Sequence, residues 1–172
     1  MNPIHKTDLS AEENSEDTNT SERTDASSTE KNSAEMKLKV FLAEDSTKVR
    51  DRLKEMLKEN KSIDLIGESG NAEQALTALQ HLKPDVVILD IHMPKGEGKM
   101  VLKDIKANDS RTIVIIFTAF AYPQYRQAYL NSGADYFFDK TKDVQEMGDV
   151  LAELARKHFI SRNHNEKRHK YR

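Results

Sequence analysis

The chain has 172 residues, which suits one folded domain with flanking segments and is short for two ordinary domains. It contains no cysteine, so disulfide bonds, thiolate zinc sites and cysteine nucleophiles are excluded. Charged residues make up 33% of the sequence and hydrophobic residues 37%, a balance typical of a compact core with unstructured ends.

Membrane segments are not indicated by the sequence. No apolar run approaches the roughly 18 residues that a membrane helix needs. The amino terminus also lacks the apolar core of a signal peptide. We therefore predict a soluble, cytoplasmic protein that makes no membrane contact.

The two ends of the chain carry opposite charge. Residues 1–35 hold nine acidic and three basic residues, a net charge of −6, and their only large aliphatic side chains are Ile4 and Leu9. We predict that this acidic, polar leader is disordered, because it cannot bury enough apolar surface to offset its ordering entropy, and we interpret it as inert rather than as an interaction tail. Residues 156–172 hold seven Lys or Arg and one acid, Glu166, a net charge of +6.

The folded region is predicted to begin near residue 36 with alternating strands and helices. An apolar run predicts a first strand over 38–42, and apolar residues at helical spacing predict a helix over 46–60 that is capped by Ser46. A second strand is predicted over 63–67. The next helix is predicted to begin at residue 72 and to end before Pro84.

The same alternation continues towards the carboxyl end. Apolar runs predict a third strand over 86–89 and a fourth over 113–117, with a helix around residues 100–105 between them. The last units are a helix near 123–131 that ends at a glycine, a fifth strand at 134–138 and a helix over 143–158. We assign 36–158 to one domain and 159–172 to a basic tail.

Five alternations of strand and helix predict an α/β fold: a single, doubly wound, five-stranded parallel sheet with helices on both faces. The predicted strands are continuous apolar runs rather than alternating ones, as a sheet covered on both sides requires. Each of four strands leads into polar or charged residues, which are Glu44 and Asp45, Asp90, Thr118, and Lys140. The carboxyl ends of parallel strands meet at one edge, where ligands bind, so these side chains are expected to lie together.

These residue types indicate phosphoryl chemistry. Three clustered carboxylates repel one another and need a cation, and hard oxygen donors favour Mg²⁺ or Mn²⁺ over zinc. A carboxylate can act as a nucleophile and form an aspartyl-phosphate. Lys140 can neutralise phosphoryl oxygens, and Thr118 can donate a hydrogen bond to one. Each residue alone is more often a helix cap, a turn residue or a plain β-former, and the joint placement favours a site.

The motifs resemble a known family. They are Glu44-Asp45, the run from Val86 to Pro94 with Gly98 beyond it, Phe117-Thr118-Ala119, and the run from Gly133 to Lys140. In order and spacing they are similar to the receiver domain of two-component response regulators over about residues 36–158. The resemblance implies a flavodoxin-like fold with five helices and strand order 2-1-3-4-5.

The resemblance also implies a metal site. Asp90 would be the phosphoacceptor and a metal ligand, and Asp45 would bind Mg²⁺ directly. Glu44 would hold the ion mainly through water, and the backbone carbonyl of His92 would complete the protein ligands.

Further roles follow from the resemblance for residues around the phosphoryl group. Thr118 and Lys140 would contact it, and Phe137 would be the aromatic residue that turns inward when Thr118 moves. One departure from the family is Thr141, which stands where many members have proline. It affects the loop that enters the last helix and leaves the phosphorylation residues unchanged.

We expect a stand-alone, non-enzymatic switch, because only twelve residues follow Ile160. Its partners would be a histidine kinase or a histidine phosphotransfer protein and a downstream target protein, reached by protein–protein contact or phosphorelay. One alternative is nucleic-acid binding through residues 156–172, against which a solvated end or helix extension is preferred. Another is a Mg²⁺-dependent phosphatase of the haloacid dehalogenase type, but Glu44-Asp45-Ser46-Thr47 lacks its Asp-x-Asp-x-Thr pattern.

Overall fold

Residues 37–169 are described by the computed structural model, and side chains are described as far as residue 163. The predicted leader, 1–35, and the last three residues of the predicted tail lie outside this range. The strands in it are β1 Leu38–Ala43, β2 Ile63–Ser69, β3 Val86–Leu89, β4 His92–Met93, β5 Gly96–Glu97, β6 Ile113–Thr118 and β7 Tyr136–Asp139. The helices are α1 Thr47–Glu59, α2 Ala72–Leu82, α3 Gly98–Asn108, α4 Pro123–Asn131 and α5 Val144–His169.

The main sheet has five parallel strands in the order β2-β1-β3-β6-β7. Counted along the chain without the short β4–β5 hairpin, this is the order 2-1-3-4-5, so the predicted fold is confirmed. Ala43 pairs with Leu89, and Leu89 pairs with Ile116, so β1 and β3 end level and β6 runs two residues further, to Thr118. Polar residues that follow these strands therefore meet at one edge of the sheet.

Each face of the sheet has its own hydrophobic core, because successive side chains of a strand point to opposite faces. Phe41, Val87 and Ile116 pack with α2, α3 and α4 on one face. Val40, Ile88, Ile115, Phe117 and Phe138 pack with α1 and α5 on the other. This double covering explains why the strands read as continuous apolar runs, and it holds the strand ends rigidly in place.

Helix ends follow the signals in the sequence. The Ser46 hydroxyl accepts a hydrogen bond from the backbone N–H of Val49 at 3.4 Å and caps α1. At the other end of a helix, Gly133 has φ 101° just past α4, a left-handed conformation that glycine adopts without a steric cost. Both predicted ends are confirmed.

The last helix is longer than predicted. It runs to His169, eleven residues past the predicted end at residue 158. Residues 159–169 contain neither proline nor glycine and include arginine, lysine and glutamate, which favour helix, so nothing in this segment ends the helix. The predicted start of the basic tail therefore falls inside α5. Among residues 37–169, no helix has the length and apolar composition needed to cross a membrane.

Candidate phosphorylation and metal site

Asp90 follows β3 and is 5% exposed. Its backbone N–H donates to the carbonyl oxygen of Ala43 at 2.9 Å, which ties it to the end of β1. One carboxylate oxygen accepts from the backbone N–H of His92 at 3.3 Å, and the other accepts from Lys140 Nζ at 2.7 Å. The carboxylate is thereby fixed at the edge of the sheet, with a cation beside it.

Two further acids lie next to Asp90. Glu44 is 1% exposed and Asp45 is exposed, and one carboxylate oxygen from each lies within 4.8 Å of one from Asp90 and of the other's. The backbone N–H of Ser46 donates to Glu44 Oε1 at 3.2 Å, which fixes the turn between β1 and α1. Three hard oxygen donors this close together suit Mg²⁺ or Mn²⁺ rather than a softer metal.

The charges of the site are not balanced by the protein. Lys140 Nζ lies 2.5 Å from Glu44 Oε2 and 2.7 Å from Asp90 Oδ2, so one ammonium group serves two buried carboxylates. Burial raises the pKa of Glu44, the Lys140 ammonium opposes that rise, and the charge of Asp90 adds to it. An additional cation near the three carboxylates would offset the free-energy cost of burying these unbalanced negative charges.

Thr118 ends β6 at the same edge and is completely buried. Its hydroxyl oxygen accepts from the backbone N–H of Phe120 at 3.1 Å, and its carbonyl oxygen accepts from the backbone N–H of Lys140 at 2.9 Å. The second bond holds the ends of β6 and β7 side by side. Lys140 therefore contacts Asp90 directly and Thr118 ends the neighbouring strand at the same edge, and their roles towards a phosphoryl group remain predictions.

Phe137 lies inside the molecule, with 2% of its surface exposed. Its ring packs against Tyr129 at a centroid distance of 6.4 Å and lies under the guanidinium of Arg126 at 5.6 Å. The same guanidinium donates to the carbonyl oxygen of Phe137 at 2.9 Å. The ring is thus already inward while the Thr118 hydroxyl still holds the backbone N–H of Phe120, so the inward turn on phosphorylation remains a prediction.

The loop after Asp90 is held close to the acceptor by a glycine. Gly98 begins α3, and its N–H donates to the carbonyl oxygen of Ile91 at 3.2 Å. A Cβ atom at this position would collide with the carbonyl oxygen of Asp90 and lie 2.9 Å from the Cα of Ile91. Only glycine allows this approach. The role of the His92 carbonyl as a metal ligand remains a prediction.

Sequence reasoning missed Arg50, one turn into α1. Its guanidinium donates to the carbonyl oxygen of Glu44 at 2.7 Å and lies 3.6 Å from Glu68 on β2. It therefore braces the turn that presents Glu44 and Asp45. The signal was weak, because an arginine in the first turns of a helix usually points to solvent.

The comparisons with known proteins agree with this geometry. The family model of the response regulator receiver domain matches residues 40–152. The chain belongs to the response regulator receiver family. The architecture is shared with the response regulator domain of Thermotoga maritima CheB, with a TM-score of 0.63 and 25% identity over 72% of this chain and 96% of that one.

Two curated relatives are longer proteins that the chain matches only in part. The chain is 30% identical over 119 residues to an uncharacterised transcriptional regulatory protein, YvfU, of Bacillus subtilis, covering 69% of this chain and 60% of that protein. It is 35% identical over 107 residues to a protein-glutamate methylesterase of Alkalilimnicola ehrlichii, covering 61% of this chain and 27% of that protein. In both, the match leaves a large part of the relative uncovered.

Proposed function

We propose that this receiver domain is a phosphorylation switch that accepts a phosphoryl group on Asp90 with the aid of Mg²⁺. The observation that carries the proposal is the position of the Asp90 carboxylate. It lies at the sheet edge, 2.7 Å from the ammonium of Lys140 and next to the carboxylates of Glu44 and Asp45. A nucleophile, a cation for the phosphoryl oxygens and a metal-binding set are thus in one place.

The chemistry follows from these groups. A carboxylate oxygen of Asp90 attacks phosphorus as the phosphorus–nitrogen bond of a donor histidine breaks, and the bonding electrons return to the imidazole. Mg²⁺, when bound, supplies positive charge for the phosphoryl oxygens. Lys140 moves its hydrogen bond from the carboxylate to a phosphoryl oxygen, and the hydroxyl of Thr118 donates to another.

Asp45 and Glu44 would share the work of holding the metal. Asp45 is exposed at the mouth of the site and would bind the ion directly. Glu44 is buried and already accepts from Ser46 and Lys140, so it would act mainly through water. The carbonyl of His92 would complete the protein ligands.

We further propose that the partners are a histidine kinase or a histidine phosphotransfer protein and a downstream target protein. The signal would pass by protein–protein contact or phosphorelay in the cytoplasm, without an enzymatic activity in the receiver domain itself. Stand-alone action remains a prediction from the sequence. The charge of residues 156–172 favours nucleic-acid binding as an alternative, and membership of the receiver family removes the support for a haloacid dehalogenase phosphatase.

Intact-mass spectrometry tests this proposal. Incubation with phosphoramidate and Mg²⁺ is expected to add one phosphoryl group to the wild type and to Asp64→Asn, an exposed site on β2. Asp90→Asn is expected to add none and to keep the wild-type circular dichroism spectrum. Stoichiometric labelling of Asp90→Asn would contradict the proposal.

A further inference from the structure

A second surface lies away from the phosphorylation site, where α1 ends and β2 begins. It is a groove of about 690 Å³ that α5 borders on one side, and we call it the amino-edge groove. Its apolar residues include Phe159, which is 46% exposed. The groove has an apolar floor and a basic rim. The floor is formed by Leu57, Ile63, Leu65 and Phe159, and the rim by Lys37, Lys58 and Lys61.

The rim has unmatched positive charge. Lys58 and Lys61 are exposed, and Lys37 is half-buried. Asp64 is the acid that lines the same groove. Among residues 37–163, whose side chains the structure describes, none of the three lysines forms an ion pair with a carboxylate. A floor of aliphatic and aromatic side chains under such a rim suits an acidic segment with a few large apolar residues.

The chain itself contains a segment of this composition. Residues 1–35 carry a net charge of −6 and include Ile4 and Leu9 as their large aliphatic side chains. This segment joins the folded domain at Lys37, which stands on the rim of the groove. A flexible chain of the 27 residues between Leu9 and Lys37 has a root-mean-square span of roughly 30 Å, enough to return to the groove.

We propose that residues 1–35 bind back onto the amino-edge groove as an intramolecular acidic ligand. Their carboxylates meet Lys58 and Lys61, and Ile4 or Leu9 contacts the apolar floor. Covalent attachment gives the leader an effective concentration on the order of millimolar at this site, so a weak contact is enough to populate the docked state. The leader thereby competes with other polyanions for this surface, which departs from its interpretation as inert.

Nucleic acid is the other polyanion that the lysines would attract. The groove favours the leader because its floor is apolar, and a phosphate backbone offers no aliphatic side chain to fill it. Binding of the leader is also intramolecular, whereas nucleic acid must bind as a second molecule. The proposal is independent of the phosphorylation of Asp90.

Paramagnetic relaxation in the full-length chain tests the proposal. The chain has no cysteine, so Ser10→Cys provides a single site for a nitroxide label. The label is expected to broaden the amide resonances of residues 58–65 and of Phe159. Because the contact is partly electrostatic, the broadening should largely disappear in 1 M NaCl, where the screening length is about 3 Å.

Charge reversal provides the matched comparison. In the labelled chain, Lys58→Glu/Lys61→Glu is expected to weaken docking on the order of tenfold, because two attractive contacts become repulsive. Lys95→Glu/Lys103→Glu makes the same change of charge at exposed sites outside the groove and should leave the broadening unchanged.

Two results would overturn the proposal. One is broadening that decays only with distance along the chain from the label and is equal in both double variants. The other is a groove whose amide resonances shift with a DNA duplex but show no effect of the labelled leader. The second result would assign the surface to nucleic acid.

Discussion

The imidazole of His92 lies against the ring of Phe120, with centroids 4.2 Å apart and ring planes inclined at 56°. The two residues come from the ends of different strands, because His92 stands two positions past Asp90 and Phe120 two past Thr118. Tyr125 meets the imidazole edge-on at 6.1 Å. The three rings form an aromatic cover, which we expect to lie beside the acceptor carboxylate because the backbone N–H of His92 donates to Asp90 Oδ1.

This cover is expected to slow hydrolysis of an aspartyl-phosphate, because a bulky apolar ring neither admits nor orients a water molecule. Phe120→Glu replaces the ring with a carboxylate that can position water. We predict that it speeds the loss of the phosphoryl group by at least about tenfold, a modest part of what general-base assistance supplies. The measurement is the decay of phosphorylated protein after the donor is removed.

Tyr122→Glu provides the control for this variant. Tyr122 is more exposed than Phe120 and receives the same change of charge, but it lies further along the loop, at the start of α4. Its decay rate should stay close to that of the wild type. Equal decay in wild type and Phe120→Glu would show that the ring is not a barrier.

Asp45 is expected to be the metal ligand whose loss is tolerated best by the fold, because it is exposed at the mouth of the site. Asp45→Ala should weaken Mg²⁺ binding by about tenfold or more, as removal of metal-site residues commonly does. Isothermal titration calorimetry measures the affinity. Asp51→Ala, an exposed acid on α1, should bind Mg²⁺ as the wild type does, and unchanged affinity in Asp45→Ala would refute the assignment.

Glu44 is expected to reduce the stability of the metal-free fold. The pKa of Glu44 is raised above the ordinary value of 4.5, mainly by burial. The folded protein therefore favours the protonated carboxyl, and this contribution to the free energy of unfolding is lost as the pH rises through the higher pKa. At pH 7 without Mg²⁺, Glu44→Gln should therefore increase the free energy of unfolding. Urea titrations at pH 7 and below pH 4.5 measure the difference, which should shrink at the lower pH.

In excess Mg²⁺, the wild type should instead be more stable than Glu44→Gln. Only the wild type keeps all three carboxylates, so it gains more stability from a ligand that binds the folded state. A Glu44→Gln variant that is less stable than the wild type without Mg²⁺ at pH 7 would contradict this account of the charges.

The arrangement of strands and the position of the acidic site could be predicted from the sequence, because both rest on local signals. Continuous apolar runs specify strands covered on both faces, and their ends place Asp45, Asp90 and Lys140 at one edge. The β4–β5 hairpin was missed because two-residue strands have no periodicity to detect. The length of α5 was missed because a change of charge was interpreted as the end of a helix.

Contacts between distant residues could not be predicted. The bond from Arg50 to the Glu44 carbonyl and the placement of Arg126 over Phe137 depend on side-chain directions that the packed structure sets. The spacing of residues along the chain does not predict such contacts.

Phe137 allows a direct test of the switch. Its ring is buried, and Thr118 holds the backbone N–H of Phe120 through its hydroxyl. If the hydroxyl moves to the phosphoryl group, the surroundings of the Phe137 ring change between two discrete packings. We expect its aromatic NMR resonances to shift on phosphorylation, and to shift less in Thr118→Ala.

Phe138 is the matched reference for that experiment. It is also buried, but its ring packs in the core on the opposite face of the sheet, against Tyr136. Its resonances should change little. If Phe137 shifts no more than Phe138, then Phe137 is permanent core and the switch prediction is wrong.

The identity of the acceptor residue is the central claim, and reduction of the phosphorylated protein with borohydride tests it most directly. An aspartyl-phosphate is an acyl phosphate, and borohydride converts that side chain to homoserine, which peptide mass spectrometry can locate. We predict homoserine at position 90, between Leu89 and Ile91, only after incubation with phosphodonor and Mg²⁺. Homoserine at Asp45 or at any other aspartate, with Asp90 intact, would contradict the account.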